Sequence, residues 1–448
     1  MDGPGSRVST GHDVVVVGAS LAGCAAATGL ARRGLSVALL EAHPDPDHAK
    51  RVCTHVVQAG AVPAFAALGW LDPVRDAGAV EAATDVWTRW GWVRPPEGAP
   101  VGLNLRRSVL DPLVRGLTAT EPGVSLRLGR RVRALLRGRD GAVTGVLADG
   151  PDGPESVTGR LVVAADGRHS PVARLAGLPV RSHPHGRVTL SAYWTGVGLT
   201  SGGRAQVWQL DPDSAFAFPT DAGQTVLGVT VAAGRRPEFA PDPDAAVRRE
   251  LAGLADAPDL TRAERVSDWV HVVSHPTLRR PPTAPGLALV GDAALSSDYA
   301  FGVGCGWAVQ SGTWLADAVG PRLAAGEPLA PGLSAYRRRR RRELAGHALV
   351  IADAATGRRF TLPERVMLAA AARDERTAAT VSAFVGRTIS PQRAFGPGPV
   401  LRAVGVDLAH AWRARRRPAP GAPATAPAGA RTPVGVGAEA GRGLPVAR

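Results

Sequence analysis

The stretch that decides the fold runs from Asp13 to Glu41 and reads DVVVVGASLAGCAAATGLARRGLSVALLE. The valine run from Val14 predicts a short buried strand, and the small residues after the Gly18–Gly23 turn predict a helix. A second apolar run then ends at Glu41. This order of strand, turn, helix and strand predicts a βαβ unit, and therefore an α/β fold of the Rossmann type with a parallel sheet between helices.

The turn after the first strand has the spacing of a dinucleotide-binding site. Gly18 suits the tight turn, and Gly23 suits close packing of helix against strand. The free N–H groups and dipole at the start of this helix favour a pyrophosphate, and Glu41 can accept hydrogen bonds from a ribose. Ser20 stands where this motif usually has its middle glycine. We therefore predict that a dinucleotide contacts Gly18, Ala19, Ser20, Ala22, Gly23 and Glu41.

Two later buried strands end in loops that pair an aspartate with a glycine. The run Leu161–Ala165 leads into Asp166-Gly167, and Leu287–Val290 leads into Gly291-Asp292. A glycine-spaced turn, Gly302-Val303-Gly304, follows and opens another predicted helix. In a parallel sheet such strand ends meet at one edge, so these loops are expected to serve the same ligand.

Together these motifs resemble the flavoprotein hydroxylases, of which p-hydroxybenzoate hydroxylase is one, over about residues 10–330. The resemblance implies bound FAD, with Asp292 on the ribityl chain and the Gly302–Gly304 turn under the isoalloxazine. It also implies that Arg51, and Arg107 in the RxxLD segment, lie along the cofactor. Because reduced flavin is negatively charged, free N–H groups at the start of the second helix would stabilise it.

The same resemblance implies an FAD-dependent monooxygenase. NADPH or NADH would reduce FAD in passing, reduced flavin would capture O2 as a C4a-hydroperoxide, and one oxygen would pass to a small aromatic or apolar substrate. The sequence departs from the hydroxylase pattern at Leu295 and Tyr299, which replace a histidine and a proline. The segment Ser214–Val229 instead resembles the geranylgeranyl-reductase branch. An FAD-dependent reductase acting on carbon–carbon double bonds therefore stays open as the alternative.

Two residues are candidates for a role near the chemistry. Tyr299 lies where the family places a proline over the flavin, so it could hold the substrate. His55 lies in the segment that usually contacts flavin or substrate and could relay a proton, although a lone histidine is also compatible with a structural role.

Aromatic residues in the middle of the chain could line an apolar substrate site, although packed core tryptophans are the alternative. Trp90 and Trp92 alternate as residues on one strand face do. Their segment also echoes a halogenase signature, but it precedes the Asp166 motif, and the catalytic lysine of those enzymes has no counterpart in register. The predicted substrate-binding residues are Trp90, Trp92, Trp208, Phe218 and Phe301.

The amino-acid composition limits which further sites, partners and locations the protein is expected to have. The three cysteines, Cys24, Cys53 and Cys305, form no CxxC pair, which argues against a zinc site or a disulfide framework and favours a cytoplasmic protein. The formal net charge is +14, but the basic residues are scattered, so we expect no nucleic-acid partner. No apolar run is long enough for a membrane span. The oligomeric state is left open.

The pattern along the chain predicts a discontinuous organisation. The FAD-binding domain is expected from residues 13–85, 104–180 and 280–330, and a substrate domain with an antiparallel sheet from 86–103 and 181–279. A helical region is expected over 331–415. The compositions of residues 1–12 and 416–448 are typical of disordered ends.

Overall fold

The computed structural model describes residues 7–8, 11–151 and 153–416. The predicted disorder of the chain ends therefore falls mostly outside the described residues. The described residues up to Asp407 form one compact unit, and the described residues from Leu408 to Arg416 belong to a second. The domain boundaries expected from the sequence stay a prediction.

All strands of the described residues lie before residue 300. In chain order they are β1 (Arg7–Val8), β2 (His12–Val17), β3 (Val37–Leu40), β4 (Val56–Val57), β5 (Val80–Ala82), β6 (Thr84–Thr88), β7 (Gly91–Val93), β8 (Gly102–Asn104), β9 (Val124–Arg127), β10 (Arg131–Arg137), β11 (Val143–Gly150), β12 (Gly153–Ala164), β13 (Arg181–His183), β14 (Arg187–Thr195), β15 (Ala205–Gln209), β16 (Ser214–Pro219), β17 (Thr225–Ala232), β18 (Glu264–Arg265), β19 (Val270–Val272), β20 (Thr277–Arg279), β21 (Thr283–Ala284), β22 (Leu287–Leu289) and β23 (Leu295–Ser296).

Helices connect these strands and make up the described chain after residue 304. They are α1 (Leu21–Ala31), α2 (Val62–Ala67), α3 (Leu71–Asp76), α4 (Arg107–Ala119), α5 (Pro171–Leu175), α6 (Pro243–Ala252), α7 (Gly304–Ala324), α8 (Leu329–Ala354), α9 (Leu362–Ala371), α10 (Glu375–Val385), α11 (Pro391–Ala394) and α12 (Pro397–Arg416). Within the described ranges, no helix is both long and apolar enough to cross a membrane.

The first sheet confirms the predicted α/β fold. Its parallel strands lie in the order β22-β12-β2-β3-β9, and β10 and β11 extend β12 as an antiparallel ribbon. Residues alternate between two faces along each strand. Val14 and Val16 pack on the side of α1 and α7, while Val15 and Val17 pack on the opposite side with α5.

Small residues let α1 and α7 approach closely. A side chain at Gly312 of α7 would come within 2.7 Å of the Ala22 carbonyl oxygen of α1. At Gly29 of α1 an added Cβ would lie 2.7 Å from Cβ of Ala316. The small-residue helix predicted after the first strand is therefore buried along its whole length.

The second sheet is mainly antiparallel, as predicted for the middle of the chain. Its strands follow the order β18-β14-β17-β16-β15-β6-β7, with β19 beside β14. One face carries Trp194, Trp208 and Leu227 and packs against α6. On the other face, Phe216 and Phe218 stack at 5.1 Å between ring centroids. The C-terminal helices α9 and α10 cover Val86 and Val93 of β6 and β7.

Candidate cofactor site

A cavity of about 1020 Å³ opens where the parallel strands end. Its walls come from the loops after β2 and β12, the first turns of α1 and α7, and the segment that follows β3. Many of the predicted cofactor residues line it, although they are far apart in sequence: Gly18, Ser20, Ala22, Glu41, Arg51, Arg107, Asp166, Gly167, Asp292, Gly302 and Gly304.

The turn between β2 and α1 requires its glycines. Gly18 has a φ of +104°, and a Cβ there would lie 2.5 Å from the Ala165 carbonyl oxygen. A Cβ at Gly23 would lie 1.8 Å from the carbonyl oxygen of Gly18, so no side chain fits. The first N–H groups of α1 have no partner within the helix and can bind an anion.

Glu41 is held rigidly at the end of β3. Its Oε2 accepts a hydrogen bond from the backbone N–H of Ala19 at 2.8 Å, and its Oε1 accepts one from the N–H of His43 at 2.9 Å. A carboxylate can accept about four hydrogen bonds, so two acceptor positions remain for a ligand. Ala19 itself is fully buried and contributes through this backbone contact.

Arg107, the first residue of α4, joins three parts of the cavity wall. Its guanidinium bonds to Asp111 one turn later, with a shortest N–O distance of 2.6 Å. Nη2 also donates to Oγ of Ser20 at 2.9 Å. Although burial opposes the charge, the Asp111 carboxylate holds the pKa of Arg107 well above its ordinary value. Ser20, which replaces the motif's middle glycine, thereby connects α1 to α4.

Asp292 pairs with Lys50, a residue that we did not predict for the site. The distance from Nζ of Lys50 to Oδ2 of Asp292 is 2.6 Å, and both residues line the cavity. Burial opposes ionisation of Asp292, but Lys50 lowers the pKa of its carboxyl group below the ordinary value. Before Asp292, Gly291 leaves space for α1, since a Cβ there would lie 2.8 Å from Cβ of Ala22.

The carboxylate of Asp166 is engaged in capping a helix. Oδ1 accepts from Oγ of Ser170 at 2.6 Å, and Oδ2 accepts from the N–H of Val172 at 2.8 Å, at the start of α5. Burial raises its pKa. Asp166 and Gly167 still line the cavity, so they shape the wall while Asp166 fixes the position of α5.

The turn before α7 contains a glycine in the left-handed conformation, and the first turn of α7 itself is accessible from the cavity. Gly302 has a φ of +62°, and a Cβ there would lie 3.3 Å from Cβ of Val56. At Gly304 nothing lies within 4 Å of an added Cβ, so its backbone is accessible from the cavity. Val303 is buried in the core instead. The first N–H groups of α7 therefore face a space that can hold a ligand.

Tyr299 lies on the cavity wall, where the sequence analysis placed a substrate contact. Its ring is 6.1 Å from that of His275, between centroids. Burial lowers the pKa of His275 to about 4 and raises that of Tyr299. Ser191 and Thr189 lie close enough to the Tyr299 hydroxyl to oppose this rise in its pKa, but no hydrogen bond of normal geometry reaches that hydroxyl within the described part of the chain. It is the kind of buried polar group that a ligand can satisfy.

His55 does not line the cavity but lies directly behind its wall. Nδ1 accepts a hydrogen bond from the N–H of Arg107 at 3.0 Å, so Nε2 carries the proton and donates to Oη of Tyr193 at 2.6 Å. Burial lowers the pKa of His55. His55 thereby holds the first turn of α4, and Tyr193 is a partner that sequence reasoning missed.

The predicted substrate-binding aromatics do not come together at the cavity. Trp208 is fully buried, its Nε1 donates to the Ala255 carbonyl oxygen, and its ring packs edge-on against Trp92 on the α6 side of the second sheet. Trp90 stacks with the guanidinium of Arg89. The other two lie on the opposite side: Phe218 stacks on Phe216, and Phe301 lies 4.9 Å beneath the Arg187 guanidinium.

Two cysteines that the sequence analysis treated as unrelated meet at the cavity. Sγ of Cys53 lies 3.5 Å from Sγ of Cys305, the second residue of α7, and both line the wall. The separation of 252 residues leaves no local signal for this contact.

A family model described as an FAD binding domain matches residues 11–347. The chain belongs to this FAD-binding family. The resemblance stated from the sequence motifs is thereby confirmed, and the chain contains an FAD-binding domain.

Curated relatives of this FAD-binding chain are named as reductases and a hydroxylase. A digeranylgeranylglycerophospholipid reductase of Methanothermobacter thermautotrophicus is 36% identical over 182 residues, 39% of this chain and 44% of the relative. A menaquinone reductase of Mycolicibacterium smegmatis is 27% identical over 338 residues, 69% of this chain and 76% of the relative. The ubiquinone hydroxylase UbiL of Rhodospirillum rubrum is 28% identical over 191 residues, 40% of this chain and 42% of the relative.

Solved structures share the fold over most of the chain. The flavin-dependent brominase Bmp2 superposes with a TM-score of 0.73 at 18% identity, covering 91% of this chain and all of that one. A geranylgeranyl bacteriochlorophyll reductase-like protein of Thermoplasma acidophilum gives a TM-score of 0.64 at 19% identity, covering 89% and 96%. At these identities the likeness shows the fold alone.

The residues of the cavity fit FAD. Glu41 keeps acceptor positions for a ribose, the first turn of α1 offers N–H groups to a pyrophosphate, and Gly304 opens the first turn of α7. This fit to FAD rests on backbone groups and on Glu41 of this chain, independently of its similarity to the solved structures.

Proposed function

We propose that this chain is an FAD-dependent reductase that adds two hydrogens across a carbon–carbon double bond of an apolar, isoprenoid-like molecule. The observation that carries the proposal is the thiol pair Cys53–Cys305 on the cavity wall, beside the first turn of α7. When bound, FAD supplies the two-electron chemistry.

Reduction of a double bond needs a proton as well as a hydride. The hydrogen bond between the thiols and nearby positive charge lower the pKa of Cys53, whereas the same hydrogen bond and burial raise the pKa of Cys305. Cys305 therefore keeps its proton, and the pair can release one toward a bound substrate. Among the other cavity groups, His275 is neutral near neutral pH because burial lowers its pKa.

A nucleophilic thiol beside the cofactor would also be oxidised in an enzyme that activates O2. A peroxide formed beside Cys53 would oxidise it, because the thiolate is the reactive form of cysteine. A reductase whose electrons pass directly to the substrate avoids this side reaction. The thiol pair thus favours the reductase over the monooxygenase expected from the first sequence resemblance.

The names of two relatives support the proposed substrate class. They specify a digeranylgeranylglycerophospholipid and menaquinone, both of which carry isoprenoid chains. The alignment with the first relative spans less than half of its length, so this class enters as part of the proposal. Tyr299 and His275 are the proposed contacts for the double bond, since both line the cavity. NADH or NADPH is the proposed electron donor.

A monooxygenase acting on a quinone-like ring is the second candidate. The name of the relative UbiL, a ubiquinone hydroxylase, favours it. In that case Tyr299 would hold the ring, and His275, being neutral, could accept the proton that a hydroxylated ring loses.

Anaerobic single turnovers separate the two reactions. We would reduce the FAD-loaded protein with dithionite, add menaquinone or a geranylgeranyl lipid without O2, and analyse the lipid by mass spectrometry. The reductase predicts a product heavier by two hydrogens, with flavin reoxidised in proportion. Product that forms only in air and carries label from ¹⁸O2 would overturn the reductase in favour of the hydroxylase. Cys305→Ser is the matched variant, and we expect slower reduction with an unchanged flavin load.

A further inference from the structure

Cys53 and Cys305 form a pair whose surroundings differ from those of the remaining cysteine. Both pair members line the cavity, where Cys53 is partly exposed and Cys305 is buried beside it. Cys24 is fully buried in α1, its Sγ bonds to the Ala19 carbonyl oxygen, and burial raises the pKa of its thiol to about 12. The chain therefore contains its own unreactive reference thiol.

Positive charge and hydrogen bonds surround the pair. Nη1 of Arg107 lies 3.8 Å from each sulfur atom, and the N–H of His55 donates to Sγ of Cys53 at 3.2 Å. These contacts stabilise a thiolate at Cys53, while the hydrogen bond and burial keep Cys305 protonated. One sulfur is thus poised as a nucleophile and the other as a thiol that can react next.

The backbone around Cys53 allows the sulfurs to approach. A disulfide requires them to close from 3.5 Å to about 2.05 Å. Cys305 is fixed in the first turn of α7, whereas Cys53 lies in an irregular segment just before β4. A shift of this segment can bring Cys53 to Cys305 without moving the helix.

We infer that Cys53 and Cys305 are a peroxide-oxidised dithiol that forms a reversible disulfide in the wall of the FAD cavity. The Cys53 thiolate attacks hydrogen peroxide, takes one oxygen and becomes a sulfenic acid, while hydroxide leaves. The Cys305 thiol then attacks the Cys53 sulfur, and the sulfenic hydroxyl and the thiol proton leave as water. In total, one peroxide takes two electrons from the two sulfurs, and thiols reverse the step.

Formation of this disulfide has two consequences at the cavity. It removes the negative charge beside Arg107, and it ties the segment before β4 to the start of α7. If the proposed function is correct, it also removes the proton donor and stops turnover until the disulfide is reduced.

The test counts thiols in the FAD-loaded protein during a peroxide titration, with maleimide labelling after denaturation. We expect the number to fall from three to one, with loss of two hydrogens within a single chain and recovery on adding dithiothreitol. In Cys305→Ser, dimedone should trap a sulfenic acid at Cys53. In Cys24→Ala, which keeps the pair, the count should fall from two to none.

The outcome does not depend on which reaction the flavin supports. Retention of all three thiols, oxidation of Cys24 at the same rate as Cys53, or disulfides only between chains would each overturn the dithiol. A disulfide that forms as expected in a protein that fails to reduce isoprenoids would instead refute the proposed function and leave the dithiol intact.

Discussion

Replacing Arg107 by methionine removes the guanidinium that joins α4 to the turn before α1, while it keeps a long side chain. The Arg107 and Asp111 side chains are 4% and 1% exposed, and their N–O distances include contacts at 2.6 and 2.9 Å. Loss of one partner from a buried pair costs about 3–5 kcal/mol, because the other charge stays desolvated and unpaired. We therefore expect Arg107→Met to lower the free energy of unfolding by about that amount.

Denaturant unfolding of the FAD-free protein measures this loss. Arg107→Met/Asp111→Leu should recover most of it, because the double variant leaves neither member of this pair as an unpaired buried charge. Arg75→Met is the matched control, since Arg75 pairs with Glu81 at the surface and its loss should leave the unfolding midpoint unchanged. The reasoning fails if Arg107→Met costs less than about 1 kcal/mol, or if the double variant is no more stable than the single one.

Three further predictions concern the cavity. Asp292→Ala should weaken FAD binding by about tenfold or more, since a ligand hydrogen bond to a carboxylate is worth about 1.5–3 kcal/mol. Asp317→Ala, at the surface, is the control in a fluorescence titration, and equal affinities would contradict the role. Tyr299→Phe should leave the free energy of unfolding unchanged or raise it, because the buried hydroxyl has no partner of normal geometry within the described residues. Tyr299→Ala should raise KM for the lipid more than it changes the affinity for FAD. An unchanged KM in a folded Tyr299→Ala would exclude the contact. His275 has a folded pKa of about 4 against 6.5 unfolded, so the unfolded chain binds more protons between these values and stability should fall as pH drops from 6.5 toward 4. His275→Gln should reduce this slope in thermal unfolding, and an identical slope would rule the group out.

Local pattern was enough to predict the α/β fold and its nucleotide-binding turn. Gly18 and Gly23 are required by contacts within one βαβ unit, so their spacing appears directly in the sequence. The Gly291-Asp292 loop and the Gly302–Gly304 turn could be found in the same way, because each follows a buried strand or opens a helix.

Contacts between distant segments could not be predicted. Alternation predicted that Trp90 and Trp92 share a strand face, but Trp90 lies in the turn before β7, which begins at Gly91. Nor does alternation show which face of a strand meets the cavity. Which face of the second sheet meets the cavity depends on α6, a helix that the sequence analysis did not predict and that covers the side carrying Trp208. The Cys53–Cys305 contact likewise exists only because α7 packs along α1.

The close packing of α1 against α7 has a consequence for synthesis of the chain on the ribosome. Every residue of α1 is buried in the finished protein, yet about 270 residues separate its end from the start of α7. At a translation rate of roughly 5–20 residues per second, the apolar surface of α1 stays uncovered for about 14–55 s until α7 has been synthesised. Nascent chains that stop before Gly304 should therefore bind chaperones through α1, and release should coincide with emergence of α7 from the exit tunnel.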